Sequence, residues 1–227
     1  MSRSLASYSF AGEVDYEPEP NTSLIAQAAR NGVSVEEWAY DRLLENDGKA
    51  IFFLPMNNFA DDNLDNVYEM LTHARTLIGL GDGGAHYGLI CDASFPTFVL
   101  TYWTRDRRGQ RVSLPDAINR LSLRNARAVG LHDRGHIAVG LKADINVIDY
   151  RRLALHGPEV VYDLPAGGRR VVQRATGYTA TILSGEITYL DGVATGALPG
   201  RAVRPAVSSA PAQRVDKTST ASAAKAG

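Results

Sequence analysis

A carboxylate and an imidazole stand together in the stretch GLGDGGAH, Gly79 to His86, which directly follows the apolar run TLI. A fixed carboxylate such as Asp82 can move a proton to or from a reacting group. His86 can orient a substrate carboxylate or carbonyl. Gly81, Gly83 and Gly84 supply positive φ or let the backbone approach a bound molecule closely. A phosphate cradle does not fit, because no helix in the Gly-x-Gly-x-x-Gly order follows. From the residues alone two readings stand: a turn aspartate with a solvated histidine, or reacting groups at the mouth of a site.

Other chemistry-bearing residues have simpler explanations. His132 and His136 have the four-residue spacing of a helical metal pair, but Gly135 between them predicts a turn. Cys91 reads as a buried small residue, with no histidine partner indicated for a nucleophile. Asp61, Asp62 and Asp65 lack the spacing of a calcium loop and read as a solvated acidic cluster at a helix start. Tyr102, Trp103 and Arg105 read as packing groups on a helix, and Arg169 and Arg170 as residues of a hairpin.

Several elements are predicted around the glycine-rich stretch. Residues 22–30 have a helical pattern stopped by Gly32, and Ser34-Val-Glu-Glu37 is a capping box for a helix to about Asn46, with Gly48 as its stop. AIFFLP (50–55) and TLIGL (76–80) read as short buried strands, separated by a helix on which Leu64, Val67, Met70 and Leu71 share one face. That order predicts parallel α/β construction, with reactive groups beyond the C-terminal strand ends, where Asp82 stands. A helix through SFPTFVLTYWTRD, a Ser113-capped helix with proline in its first turn and a short helix from Asn125 to Val129 follow.

From Gly135 the pattern changes to β-branched runs: INVIDY, EVVYDL, RRVVQRA, YTATILSG and EITYLDG. These predict an antiparallel sheet domain with turns at Gly167-Gly168, Ser184-Gly185 and Asp191-Gly192. Four segments result: a polar joining segment (1–20), an α/β region (21–134), a small β domain (135–204) and a disordered tail (205–227) poor in large apolar residues.

The chain has 227 residues, 44% of them hydrophobic, which is enough to bury a core. With 24 basic against 25 acidic residues, no field favours nucleic acid or an anionic membrane. One cysteine excludes an intrachain disulfide and fits a reducing, cytoplasmic setting. No secretory leader or membrane-spanning run is expected.

The runs GLGDGGAHYGLICDASFPT, GHIAVGLKADINVIDY, VYDLPAGGRRVVQRATGY and TGALPGR together resemble the C-terminal half of metal-dependent amidohydrolases of the N-acyl-D-amino-acid deacylase (D-aminoacylase) type. The resemblance covers about Ala50 to Arg201. It implies a (β/α)₈ TIM-like barrel followed by a small β-sandwich, and a hydrolase that cleaves carbon–nitrogen amide bonds with a metal-activated water. It assigns Asp82 the proton transfer and a place as a metal ligand, His86, Gly83 and Gly84 contact with an N-acyl amino acid, and zinc as the metal. A related cyclic-amide hydrolase, dihydropyrimidinase-like, shares some of these signals, but DLPAGGRR and TGALPGR favour the deacylase side.

Two family features have no counterpart here. None of the five histidines forms a His-x-His pair, and a full barrel takes about 250 residues whereas some 130 precede the β domain. The expectation is therefore an incomplete barrel, a truncated or split chain whose metal ligands come from a separate N-terminal half, or whose open edge is covered in a homo-oligomer. A non-catalytic remnant acting as an interaction module is the alternative.

Overall fold

The computed structural model describes residues 8–9, 14–55, 57–79, 81, 84 and 86–203. Asp82, Gly83 and the tail expected to be disordered lie outside the described residues. The local signals for helix ends hold. The Ser23 hydroxyl accepts the Ala26 amide at 3.2 Å and opens α1 (Leu24–Asn31), which stops at Gly32 with φ 68°. Ser34 accepts the Glu37 amide at 3.1 Å and opens α2 (Val35–Leu43). This helix ends before Asn46 because Asn46 and Asp47 turn left-handed inside the short element α3 (Glu45–Gly48).

Helix α4 (Asp65–Thr72) follows the acidic cluster, and α5 (Phe95–Thr101) runs into a π-helical turn, Tyr102–Asp106. Ser113 caps α6 (Leu114–Leu121) by accepting the Asp116 amide at 3.3 Å, and α7 (Leu123–Ala128) follows.

All strand pairs among the described residues are antiparallel. Strand β1 (Tyr8–Ser9) pairs with β2 (Phe52–Phe53), which is all that forms of the strand expected over 50–55. Residues 76–79, the described part of the second expected strand, pair with no strand. Among the described residues these two runs do not pair with each other. A strand exists only when a neighbour satisfies its backbone, and β2 takes β1 as that neighbour.

The C-terminal β elements match their sequence signals. Strands β3 (Ile145–Ile148), β6 (Tyr178–Leu183), β7 (Glu186–Leu190) and β8 (Val193–Ala194) form one sheet in the order β3-β6-β7-β8. A long hairpin of β4 (Ala154–Leu164) and β5 (Gly168–Thr176) stands apart from it. Both residues of Ser184-Gly185 and of Asp191-Gly192 have positive φ, the geometry a two-residue turn needs to match strand twist.

The core crosses the boundary between the helical and β regions. Trp103, Val99, Leu100, Val112 and Ala117 pack with Leu153, and Ile148, Tyr150 and Tyr178 close over them. Thr97 shares a hydrogen bond with the Tyr178 hydroxyl at 2.7 Å, and Thr104 one with the Tyr150 hydroxyl at 2.7 Å. Arg105 donates to the carbonyls of Tyr150 and Leu153 at 2.8 and 2.9 Å, so it ties the two regions together as well as packing.

Candidate functional site

The described flanks of the glycine-rich stretch are fixed from below. A Cβ at Gly81 would stand 2.9 Å from the Asp92 Cβ and 3.0 Å from its carbonyl oxygen, so only glycine fits against the 3₁₀ turn Asp92–Ser94. Gly84 has open space around it but φ 106°, so its glycine serves backbone conformation instead. His86 is exposed, with φ 48°, and its carbonyl accepts the amides of Leu89 at 2.8 Å and Ile90 at 3.0 Å. The structure thus leaves Gly84 and His86 both exposed, with His86 opening a turn to Ile90, while Asp82 and Gly83 fall outside the described residues.

Strand β5 braces the far end of this turn. The Val171 amide donates to the Tyr87 carbonyl at 2.8 Å. Gln173 accepts from the Ser94 hydroxyl at 2.6 Å through Oε1 and donates to the Tyr16 hydroxyl at 2.9 Å through Nε2. One side chain therefore links the N-terminal segment, β5 and the 3₁₀ turn that Gly81 rests on. Cys91 lies half-buried beside this brace, and burial, followed by the Asp92 charge, pushes its thiol above the ordinary value. A thiol held protonated is a poor nucleophile, in keeping with the packing role read from sequence.

A second polar cluster sits behind α5. The Arg107 side chain, 1% exposed, donates to both carboxylate oxygens of Glu17 and to Asp65 at 2.6 Å, and lies over the Trp103 ring. The Tyr102 hydroxyl donates to the same Glu17 carboxylate. Burial and that carboxylate raise the Tyr102 hydroxyl far above its ordinary value, and the Glu17 bonds raise Arg107. These groups are locked in one charge state and bonded to one another, which suits structure and not proton transfer.

Sequence reading missed Tyr16, Glu17 and Gln173. The first two lie in a segment read as a polar joiner, and their partners stand 90 and 157 residues away. The EPEP run carried a proline signal but no pairing signal. Asp65, expected in a solvated cluster, is 65% exposed and also pairs with Arg107. The turn reading of His132 and His136 agrees with Gly135, where φ is 94° and a Cβ would stand 2.9 Å from the Leu123 Cα.

Among the described residues no group of three or more His, Cys, Asp or Glu side chains stands close enough to hold a metal ion. The described part of the site therefore does not fit a divalent metal by itself. Nor, among the described residues, is any helix long and apolar enough to cross a membrane.

In comparison with known proteins, the model of the amidohydrolase family matches residues 18–189. No curated protein and no solved structure gives a significant match. The matched span begins beside Glu17 and Pro18, takes in the glycine-rich stretch and its brace, and ends within β7.

Proposed function

The chain belongs to the amidohydrolase family, and from that premise we propose that it serves a hydrolase of the N-acyl-D-amino-acid deacylase type, cleaving carbon–nitrogen bonds in linear amides. The observation that carries this reading is a family match spanning the whole Gly79–His86 stretch and the segment DLPAGGRR. In it residues 21–134 are the C-terminal part of a (β/α)₈ barrel and 135–204 a small β-sandwich. The antiparallel sheet from β3 to β8 and the Gly135–Asp149 run support the second assignment.

In this reaction water adds to the acyl carbon, the carbon–nitrogen bond breaks, and the amine leaves with a proton. Asp82 takes the proton from the attacking water and returns it to the departing nitrogen, so it ends the cycle ionised. Gly83 and Gly84 let the backbone lie close to the amide, and His86, on its exposed turn, faces the carboxylate of an N-acyl amino acid. The family's metal, zinc in this reading, draws its ligands from polypeptide beyond the described residues, since these hold no such cluster. The single cysteine supports a reducing, cytoplasmic setting.

The test is co-expression with the N-terminal half of a family member that carries a His-x-His pair, followed by assay of N-acyl-D-amino acids with added zinc. Release of free amino acid is expected, with a loss of at least about 100-fold in Asp82→Asn, the usual scale for removing a proton-transfer group. A zinc-loaded complex of intact Asp82 chain that releases nothing would overturn the reading.

A further inference from the structure

Strand β5 carries three arginines, Arg169, Arg170 and Arg174, and the proposed reaction uses none of them. Side chains alternate across a strand, so Arg170 and Arg174 share one face of β5, and Arg169 shares the other with Val171 and Gln173. On the first face both cations are paired within the hairpin. Arg170 donates to the two carboxylate oxygens of Asp163 at 2.7 and 2.6 Å, and Arg174 donates to Glu159. Arg169 is exposed and, among the described residues, has no hydrogen-bond or ion-pair partner. The hairpin thus neutralises two of these cations and leaves the third free on the face that carries the brace.

That face meets the segment that follows the glycine-rich stretch. Val171 donates its amide to the Tyr87 carbonyl, and two residues further along β5 the Gln173 side chain meets Ser94. The segment from Tyr87 to Ser94 therefore advances along β5 in the strand's own direction. Continued backwards, the chain brings His86 and Gly84 toward Arg169, which precedes Val171 by two residues, about 7 Å along the strand. The start of β5 is closely packed, since a Cβ at Gly168 would stand 3.1 Å from the Leu164 Cβ. Tyr87 and Tyr162, 53 and 70% exposed, show this end of the hairpin to be open to solvent. A cation on a regular strand, committed to no internal carboxylate and open to solvent beside the site, is placed to receive an anion from outside.

We propose that Arg169 binds the substrate's carboxylate alongside His86, so that the site selects N-acyl amino acids with a free carboxylate over uncharged amides and esters. The planar guanidinium takes both oxygens of a carboxylate at once, which fixes the orientation of the acid as well as its charge. Arg169 takes no part in proton transfer, so its loss acts on binding. The identity of the anion rests on the hydrolase reading; the position of the free cation does not.

Nuclear magnetic resonance of the full chain tests this, with N-acetyl-D-alanine as the probe. Saturable shifts of the Arg169 and His86 amide signals are expected, lost in Arg169→Gln and kept in Arg170→Gln, which breaks only the Asp163 pair. Arg169 is exposed and unpaired, so its replacement should leave folding untouched. N-acetyl-D-alaninamide, which lacks the charge, should bind about 10- to 100-fold more weakly, the scale of a hydrogen bond to a charged group. In the zinc-loaded complex with an N-terminal half, Arg169→Gln should raise KM for N-acetyl-D-alanine by the same factor and leave kcat nearly unchanged. Absence of saturable shifts, equal binding of acid and amide, shifts retained in Arg169→Gln, or shifts that sodium chloride reproduces at equal ionic strength would each overturn the proposal. A chain that binds the acid through Arg169 but forms no active complex would overturn the hydrolase reading and leave the carboxylate site standing. An active complex whose KM ignores Arg169→Gln would do the reverse.

Discussion

Arg107 holds Glu17 through two bonds, Nε to one carboxylate oxygen at 2.9 Å and a terminal nitrogen to the other at 2.7 Å, across 90 positions of sequence. The planar guanidinium matches a carboxylate in this way, and its remaining nitrogen reaches the Gln110 carbonyl at 2.9 Å. The Leu64 amide donates to Glu17 at 2.7 Å, so the N-terminal segment, the start of α4 and the end of α5 meet at one carboxylate.

Glu17→Ala should therefore destabilise the chain as a lost buried charge partner does. Breaking a buried pair by removing one member costs about 3–5 kcal/mol, and Asp65 and Gln110 remain to Arg107, which sets the expected loss near the lower end, about 3 kcal/mol. Urea denaturation of the two proteins measures it. A loss below about 1 kcal/mol would mean that the pair is no more than a surface salt bridge.

The same carboxylate should give stability a dependence on acid. Burial alone would raise Glu17, but its bonds from Arg107, Tyr102 and the Leu64 amide outweigh that and hold it below the ordinary value of 4.5. The folded state then binds this proton less readily than the unfolded chain. The contribution is complete above about pH 4.5 and is lost as pH falls through the folded value. Denaturation curves of wild type and Glu17→Gln should accordingly lie far apart at neutral pH and converge in acid. A gap that is constant with pH would refute the ionic origin.

What could be read from sequence was local. The caps at Ser34 and Ser113 and the turns at Ser184-Gly185 and Asp191-Gly192 each depend on two to four adjacent residues, and all formed as expected. The runs at 50–55 and 76–80 were apolar enough for strands, but a strand is a property of a pair, and no sequence signal named the partner. Tyr16 and Glu17 were hidden for the same reason. In the candidate site, glycine spacing pointed to the turn around Gly84 and His86, while Gln173, which braces it, sits in a run that carries only a strand pattern.

Gln173 offers a direct test of that brace. Gln173→Met removes the links to Ser94 and Tyr16 while keeping the side chain's length. The 3₁₀ turn Asp92–Ser94 should loosen, and Cys91 beside it should become more accessible and lose the burial that raises its thiol. Its reaction with a thiol reagent should accelerate, and circular dichroism should show the β elements retained. An unchanged rate would mean that the Val171–Tyr87 bond alone holds the segment.

Two glycines with similar φ should respond in opposite ways to substitution. Gly177 has φ 95°, and a Cβ there would stand 2.6 Å from the Leu153 Cα and 2.7 Å from its amide nitrogen. Both contacts are with backbone, and Leu153 is a fully buried core residue, so neither neighbour can yield. Gly177→Ala adds a left-handed strain of about 1–3 kcal/mol to an overpacking cost of similar size, for an expected loss of about 3 kcal/mol. Gly192 has φ 80° with nothing within 4 Å, in a tight turn between β7 and β8. Asparagine tolerates that conformation, so Gly192→Asn should stay within about 0.5 kcal/mol of wild type. Thermal denaturation of both variants settles the comparison, and equal losses would show that backbone conformation alone, not the approach of Leu153, decides what each position accepts.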